Sequence, residues 1–201
     1  MIAVIDYGAG NLKSVTKALN HLGYVNQIVS DPVSLDRADA LILPGVGAFP
    51  KCIEALRKNG MDRAILRETK RGKPLLGICL GMQMLLEESE ELTPTPGLGL
   101  IPGRVERIET AYKLPHIGWN SLKIIQRSPL TAGLSDGDYV YFVHSFCARV
   151  GNSEDLAVTT DYGTEVAAMV AKDHVFGCQF HPEKSGDVGM TILKNFGELS
   201  I

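Results

Sequence analysis

Between residues 74 and 84 the chain reads as an apolar strand, Pro74-Leu-Leu-Gly-Ile78, that must turn at once into a helix through Gly77-Ile-Cys79-Leu-Gly81. A strand without polar alternation is covered on both faces, as the central strand of a parallel sheet is. The two glycines set the turn. With no Cβ on either side, the backbone can take the strained conformation that lifts Cys79 above the strand ends while strand and helix pack closely. This is the pattern of a nucleophile elbow, with cysteine where hydrolases often carry serine.

The rest of the first half agrees with a βαβ series. Strands are predicted at residues 2–5, 25–29 and 40–43. A helix over 11–21 carries Leu12, Val15, Ala18 and Leu19 at helical spacing and is stopped by Gly23. Helical material over 48–68 breaks at Asn59-Gly60, and the helix after Cys79 is predicted to carry Met82, Met84, Leu85 and Leu86 until Pro94 and Pro96 end it. From Gly99 onward strand-like runs dominate, at 122–125, 139–143, 156–159, 166–170 and 175–180, and are expected to extend the sheet and add antiparallel strands. A last helix is predicted over 188–199. The expected class is α/β, a central mostly parallel sheet flanked by helices with added antiparallel strands, in a single domain over 1–201. At 201 residues and 45% hydrophobic composition the chain can bury a substantial core.

Bulk properties narrow the function. The net charge of −3 and the dispersed Lys and Arg residues give no footprint for nucleic acid or an anionic membrane. The opening Met1-Ile-Ala-Val-Ile-Asp6 lacks the basic and apolar regions of a signal peptide, and no apolar run reaches bilayer length, so a cytoplasmic protein is expected. Four cysteines, Cys52, Cys79, Cys147 and Cys178, occur without a C-x-x-C pair, which favours neither a disulfide scaffold nor a zinc knuckle. His116, His144, His174 and His181 lack metal-ligand spacing, and no metal or cofactor is expected. Gly8-Ala-Gly10-Asn11 invites a phosphate-loop reading, but Lys13 stands where a dinucleotide fingerprint needs glycine and no Gly-Lys-Ser/Thr follows.

A chemical constellation remains. Backbone N–H groups at the start of the elbow helix favour negative charge, hence a thiolate, and aim the Leu80 N–H at the oxygen of a tetrahedral intermediate. His181-Pro-Glu183 follows the strand at 175–180, so the imidazole should project toward the same sheet edge as Cys79, with Glu183 fixing its tautomer. These are the nucleophile, base and orienting group of a triad. Pro44-Gly-Val-Gly47 ends another parallel strand, and Val46 or Gly47 could offer a second N–H to the oxyanion. Taken singly, each element has a duller reading: a buried inert cysteine, a core histidine, a tight turn.

In combination, Gly77-Ile-Cys79-Leu-Gly81-Met-Gln83, Pro44-Gly-Val-Gly47 and His181-Pro-Glu183-Lys184-Ser185 resemble the class I glutamine amidotransferases, nearly end to end. More narrowly, Tyr7-Gly-Ala-Gly-Asn11-Leu, Pro115-His-Ile-Gly-Trp119-Asn120 and Tyr141-Phe-Val-His144-Ser145 are similar to the glutaminase subunits of imidazole glycerol phosphate synthase. The resemblance implies a flavodoxin-like fold and hydrolysis of L-glutamine through a Cys79 thioester. It also implies a heterodimer in which ammonia passes to a (β/α)8-barrel cyclase subunit of the HisF type. Carried over by position, Gln83, Glu91, Ser145 and Phe146 would hold glutamine, and Asn11, Trp119, Asn120, Tyr141 and Lys184 would face the cyclase. Relatives often have Thr-Tyr where this chain has Ser145-Phe146, so no phenol contact is carried over. From the residues alone Trp119 reads as core and Glu91 as a surface acid, while Gln83 reads equally as a solvated helix polar or as a substrate contact. The segment Pro44 to Gly47 is further expected to gate activity, one of its peptides presenting a carbonyl to the oxyanion site until the partner is loaded. Another ammonia-supplying glutaminase, a stand-alone cysteine hydrolase and a non-catalytic scaffold are the competing readings.

Overall fold

The computed structural model describes residues 1–200. The first half runs β1 (Ile2–Ile5), α1 (Leu12–His21), β2 (Asn26–Val29), β3 (Ala40–Gly45), α2 (Phe49–Lys58), α3 (Met61–Lys70), β4 (Leu75–Cys79) and α4 (Leu80–Met84). The second half adds β5 (Glu88–Ser89), β6 (Thr95–Pro96), β7 (Gly103–Arg107), β8 (His116–Ser121), β9 (Lys123–Ile124), β10 (Tyr139–His144), β11 (Phe146–Val150), β12 (Leu156–Asp161), β13 (Glu165–Lys172), β14 (Val175–Cys178) and α5 (Gly186–Glu198).

Among the described residues the main sheet has eight strands in the order β2-β1-β3-β4-β14-β13-β12-β9. Its pairings are parallel from β2 through β14 and antiparallel beyond. Alternation of side chains along each strand splits the core into two layers. Ala3, Ile5, Leu41, Leu43 and Leu75 pack with Phe49, Ile53, Met61 and Ile65 of α2 and α3. Ile2, Val4, Ile42, Leu76 and Ile78 pack with Val15 and Leu19 of α1 and Ile192, Leu193 and Phe196 of α5. Both faces are covered, which is why these strands are apolar throughout. Strand order reverses across β1 and β3, and the carboxyl ends of β3, β4 and β14 converge beside that point, where open α/β sheets bind ligands.

Three sequence-based expectations change. Residues 139–143 do not extend the main sheet: β10 pairs antiparallel with β8 as a separate two-stranded sheet, His144 opposite His116. β7 and β11 join β5 and β6 in a four-stranded sheet that the apolar pattern did not mark. The elbow helix stops at Met84, not near Pro94. The Leu98, Gly99, Leu100 and Ile101 N–H groups fold back onto the carbonyls of Met84, Leu86 and Leu85, taking acceptors a longer helix would need.

Candidate active site

Cys79 joins β4 to α4 with φ 55° and ψ −112°, a strained conformation for a residue with a Cβ. Close backbone contact around it requires the flanking glycines. A Cβ on Gly81 would stand 1.8 Å from the Leu43 carbonyl oxygen, one on Gly77 2.6 Å from that of Gly81, and one on Gly45 2.7 Å from the Gly81 nitrogen. Because α4 has only five residues, the electrostatic help at sulfur comes from first-turn N–H groups such as that of Leu80, and a long-helix dipole adds little.

Sheet register brings the base to the nucleophile. Cys178 of β14 lies opposite Ile78 of β4, so the chain beyond Cys178 runs past Cys79. His181 is held there by its backbone N–H to the Tyr141 carbonyl (3.1 Å) and by Ser185, whose hydroxyl donates to the His181 carbonyl (2.6 Å) and accepts from the Tyr141 N–H (3.0 Å). The ring Nδ1 lies 2.8 Å from Glu183 Oε1, with the two side chains 3% and 1% exposed. Burial alone would push this imidazole down. Hydrogen bonding to Cys79 and Glu183, together with their charges, brings it instead up to about 9. The second Glu183 oxygen is buried without a hydrogen-bond partner among the described residues.

A cavity of about 390 Å³ opens over Cys79 and His181. Leu80, Val46 and Gly47, the expected oxyanion donors, line it, as do Gln83, Glu91, Ser145 and Phe146. Their atoms are not equally free. Gln83 Nε2 donates to the Phe146 carbonyl and to Gln179 Oε1, both at 3.0 Å, which leaves only its carbonyl oxygen for a ligand. Gln83 is therefore a buried, doubly bonded amide, not a solvated helix polar. One Glu91 oxygen accepts from the Phe49 N–H at the start of α2 (2.8 Å), so Glu91 caps that helix as well as bordering the cavity. The Phe146 carbonyl accepts from Gln83 and from His144 Nδ1 (2.8 Å) and is fully engaged.

The oxyanion segment is anchored from behind. Tyr7 O–H donates to the Pro44 carbonyl (2.9 Å) and the Cys52 thiol to that of Val46 (3.4 Å). A Cβ on Gly10 would approach the Pro44 ring to 3.1 Å, so the Tyr7 to Gly10 turn packs closely behind Pro44.

The residues expected at a partner surface separate into two groups. Trp119 is 57% exposed, in edge contact with half-buried Tyr141, and Ile117 (59%) and Tyr139 (57%) extend the same outward face of β8 and β10. Lys184 is exposed and Asn11 half-buried at the start of α1. Asn120 points inward instead, its amide donating to the Asp161 carbonyl (2.8 Å) and meeting His116 Nε2 (3.4 Å).

Three further polar residues lie near the site, and of these Gln179 escaped the sequence reading altogether. Gln179 is fully buried with Nε2 3.9 Å from Cys79 Sγ. His116 and His144 face each other at 3.1 Å, and His116 is stacked between Phe142 and Tyr162. Burial pushes both imidazoles down to about 4. Gln179 could have been noticed as an amide at the end of an otherwise apolar strand. In the sequence His116 and His144 stand far apart, as single histidines within two family-like motifs and without metal-ligand spacing, and nothing local marks them as a pair. Among the described residues, no group of three or more His, Cys, Asp or Glu side chains is placed to hold a metal ion, and no helix is long and apolar enough to cross a membrane.

A cysteine on an elbow at the sheet's carboxyl edge, faced by a buried His–Glu pair, is the arrangement of a family of amide-hydrolysing proteins. The family model described as glutamine amidotransferase class-I matches residues 3–198, and the chain belongs to that family. It is 52% identical over 200 residues to the imidazole glycerol phosphate synthase subunit HisH of Caldanaerobacter subterraneus subsp. tengcongensis, covering 99% of this chain and 98% of the relative. To the subunits of the same name it is 51% identical in Bacillus cereus (98% and 93% covered) and 48% in Listeria monocytogenes (100% and 96%). A crystal structure described as a glutamine amidotransferase superposes with a TM-score of 0.80 at 21% identity, covering 100% of this chain and 99% of the other. PurLQS from Thermotoga maritima superposes with 0.79 at 20% identity, covering 97% and 96%. At such identities the likeness is one of fold.

Proposed function

We propose that this chain is the glutamine-hydrolysing subunit of imidazole glycerol phosphate synthase, acting in the cytoplasm in histidine biosynthesis. The observation that carries the reading is the meeting of Cys79 with the His181–Glu183 pair in one cavity, in a chain about half identical to relatives of that name. The Cys79 thiolate attacks the carboxamide carbon of glutamine. The oxyanion is received by the Leu80 N–H and by an N–H from Val46 or Gly47. His181, protonated, gives its proton to the departing nitrogen, and ammonia leaves a glutamyl thioester. His181 then takes a proton from water, whose attack on the thioester releases glutamate and restores the Cys79 thiolate beside protonated His181. Gln83, Glu91 and Ser145 hold the substrate's polar groups. The chemistry as written uses no cofactor or metal.

Ammonia released into water is protonated and lost, so a sealed route to an acceptor has chemical value. The β8–β10 pair supports such a route. Pro115, just before β8, and Val143 and His144 of β10 line the cavity, while Ile117, Trp119 and Tyr139 of β8 and β10 leave an apolar face uncovered. We place a (β/α)8-barrel cyclase on that face, as a heterodimer, receiving ammonia to make imidazole glycerol phosphate and aminoimidazole carboxamide ribotide. Pro44 to Gly47 gates the glutaminase, Val46 being half-exposed between two glycines.

The test uses the complex with the cyclase. Cys79→Ala and His181→Ala should each abolish glutamine-dependent synthesis while ammonium salts still support the cyclase. Loss of both activities, or persistence of both, would overturn the assignment. Equal glutamine turnover with and without the loaded cyclase would overturn the gate.

A further inference from the structure

The two glutamines beneath the cavity form a hydrogen-bond relay whose direction is fixed at one end. The Phe146 carbonyl can only accept, and it lies 3.0 Å from the Gln83 amide. The Gln83 atom facing it must therefore be nitrogen, since the flipped amide would set oxygen against oxygen. The same Nε2 is 3.0 Å from the Gln179 amide, whose facing atom must then be oxygen. That turns Gln179 Nε2 toward Cys79 Sγ at 3.9 Å, within reach of an N–H···S hydrogen bond. His144 Nδ1 reinforces the anchor by donating to the same carbonyl (2.8 Å).

We propose that Gln179 is a positioning residue that relays the order set at the Phe146 carbonyl, helping to hold the Gln83 carbonyl oxygen toward the substrate and directing its own N–H at the nucleophilic sulfur. An N–H donor favours a thiolate over a neutral thiol, because the anion is the stronger acceptor. A Gln83 amide locked with oxygen outward accepts from an N–H of the substrate and repels a ligand offering only acceptors. Gln179 is 0% exposed and Gln83 4%, so neither amide can exchange its partners for bulk water. The substrate half of this inference rests on the glutaminase reading above. The sulfur half does not.

Two variants separate the functions. Gln179→Glu keeps an acceptor for Gln83 but removes the donor at sulfur and adds negative charge there. Gln179→Met, of similar length, removes both. Cys79 is labelled with iodoacetamide across pH and with a glutamine-analogue diazoketone, each read as the mass of the Cys79 peptide. For Gln179→Glu, half-maximal iodoacetamide labelling should move up by about one pH unit or more, some tenfold in rate on the acid side, with the diazoketone still saturating near the wild-type concentration. For Gln179→Met, the shift should be smaller, but the diazoketone should need about tenfold more to saturate. A purely packing role would leave the Gln179→Met midpoint at the wild-type value, since only the lost N–H donor moves it in that uncharged variant. Folded variants, judged by circular dichroism, that label like the wild type with both reagents would overturn the proposal. If the buried carboxylate prevents folding, Gln179→Met still reads both effects. A wild type that reacts with iodoacetamide but not the diazoketone would count against the glutaminase assignment alone, and the iodoacetamide profile of Gln179→Met would still decide the sulfur half.

Discussion

Glu183 is the side chain on which the chemistry of His181 turns. Among the described residues its side chain makes a single hydrogen bond, with Nδ1, and is almost wholly removed from water, so its charge acts on the ring with little screening. Glu183→Gln keeps the shape and removes that charge. The imidazole should then titrate well below the present value of about 9, and glutamine turnover in the complex should fall by roughly 10²–10⁴-fold as the ring loses its preferred tautomer. Nitrogen NMR of the His181 ring across pH reads the first effect directly. An unshifted midpoint would mean that Cys79 alone holds the proton and that Glu183 only packs.

At the scale of elements, the elbow depends on the missing Cβ atoms between β3, β4 and α4. Gly81→Ala would drive a methyl into the Leu43 carbonyl, backbone against backbone, where no rotamer change gives relief. The expected cost is about 3 kcal/mol or more of unfolding free energy, measured by denaturant titration. Gly8→Ala is the contrasting case. Nothing lies within 4 Å of its Cβ, and only φ +92° opposes it, so the cost should be on the order of 1 kcal/mol. A Gly81→Ala chain as stable as Gly8→Ala would show that the sheet edge can spread. These contacts also explain what the sequence revealed. Continuous apolar runs and paired glycines are local signals, so β1, β3, β4 and the elbow were legible, and His181 followed from strand polarity. The end of α4 was not, since residues 98–101, distant in sequence, decide it. β8 was missed because His-Ile-Gly-Trp-Asn-Ser has no clean alternation, and its partner β10 follows only after β9, which belongs to another sheet. Asn120 and Gln179 show the same limit in the site: whether a polar side chain turns outward or inward depends on acceptors elsewhere in the fold.

For the whole molecule, the buried titratable groups act in opposite directions, and their sum predicts a stability maximum near pH 6.5. His181 gains a proton on folding, its value rising from 6.5 to about 9. Its contribution is therefore complete below pH 6.5 and is lost as pH rises through about 9, on the order of 3 kcal/mol. His116 and His144 are bound neutral, both moving from 6.5 down to about 4. Their contribution is complete above pH 6.5 and is lost as pH falls toward 4, with on the order of 3 kcal/mol gone by the first protonation; a second would put a donor against a donor across the pair. Glu68 extends the acid limb. Burial alone would raise it, but Lys73 at 3.0 Å and Arg67 at 2.8 Å hold it at about 2, so its stabilisation is lost between pH 4.5 and about 2. Urea titrations at pH 5, 6.5 and 9 should therefore show the highest midpoint at the middle value. The limbs are separable because His181 leans on Cys79 and the other two histidines do not. Cys79→Ala should flatten the alkaline limb and leave the acid limb in place, whereas a variant that changed both limbs equally would mean that the site and the β8–β10 pair titrate as one unit.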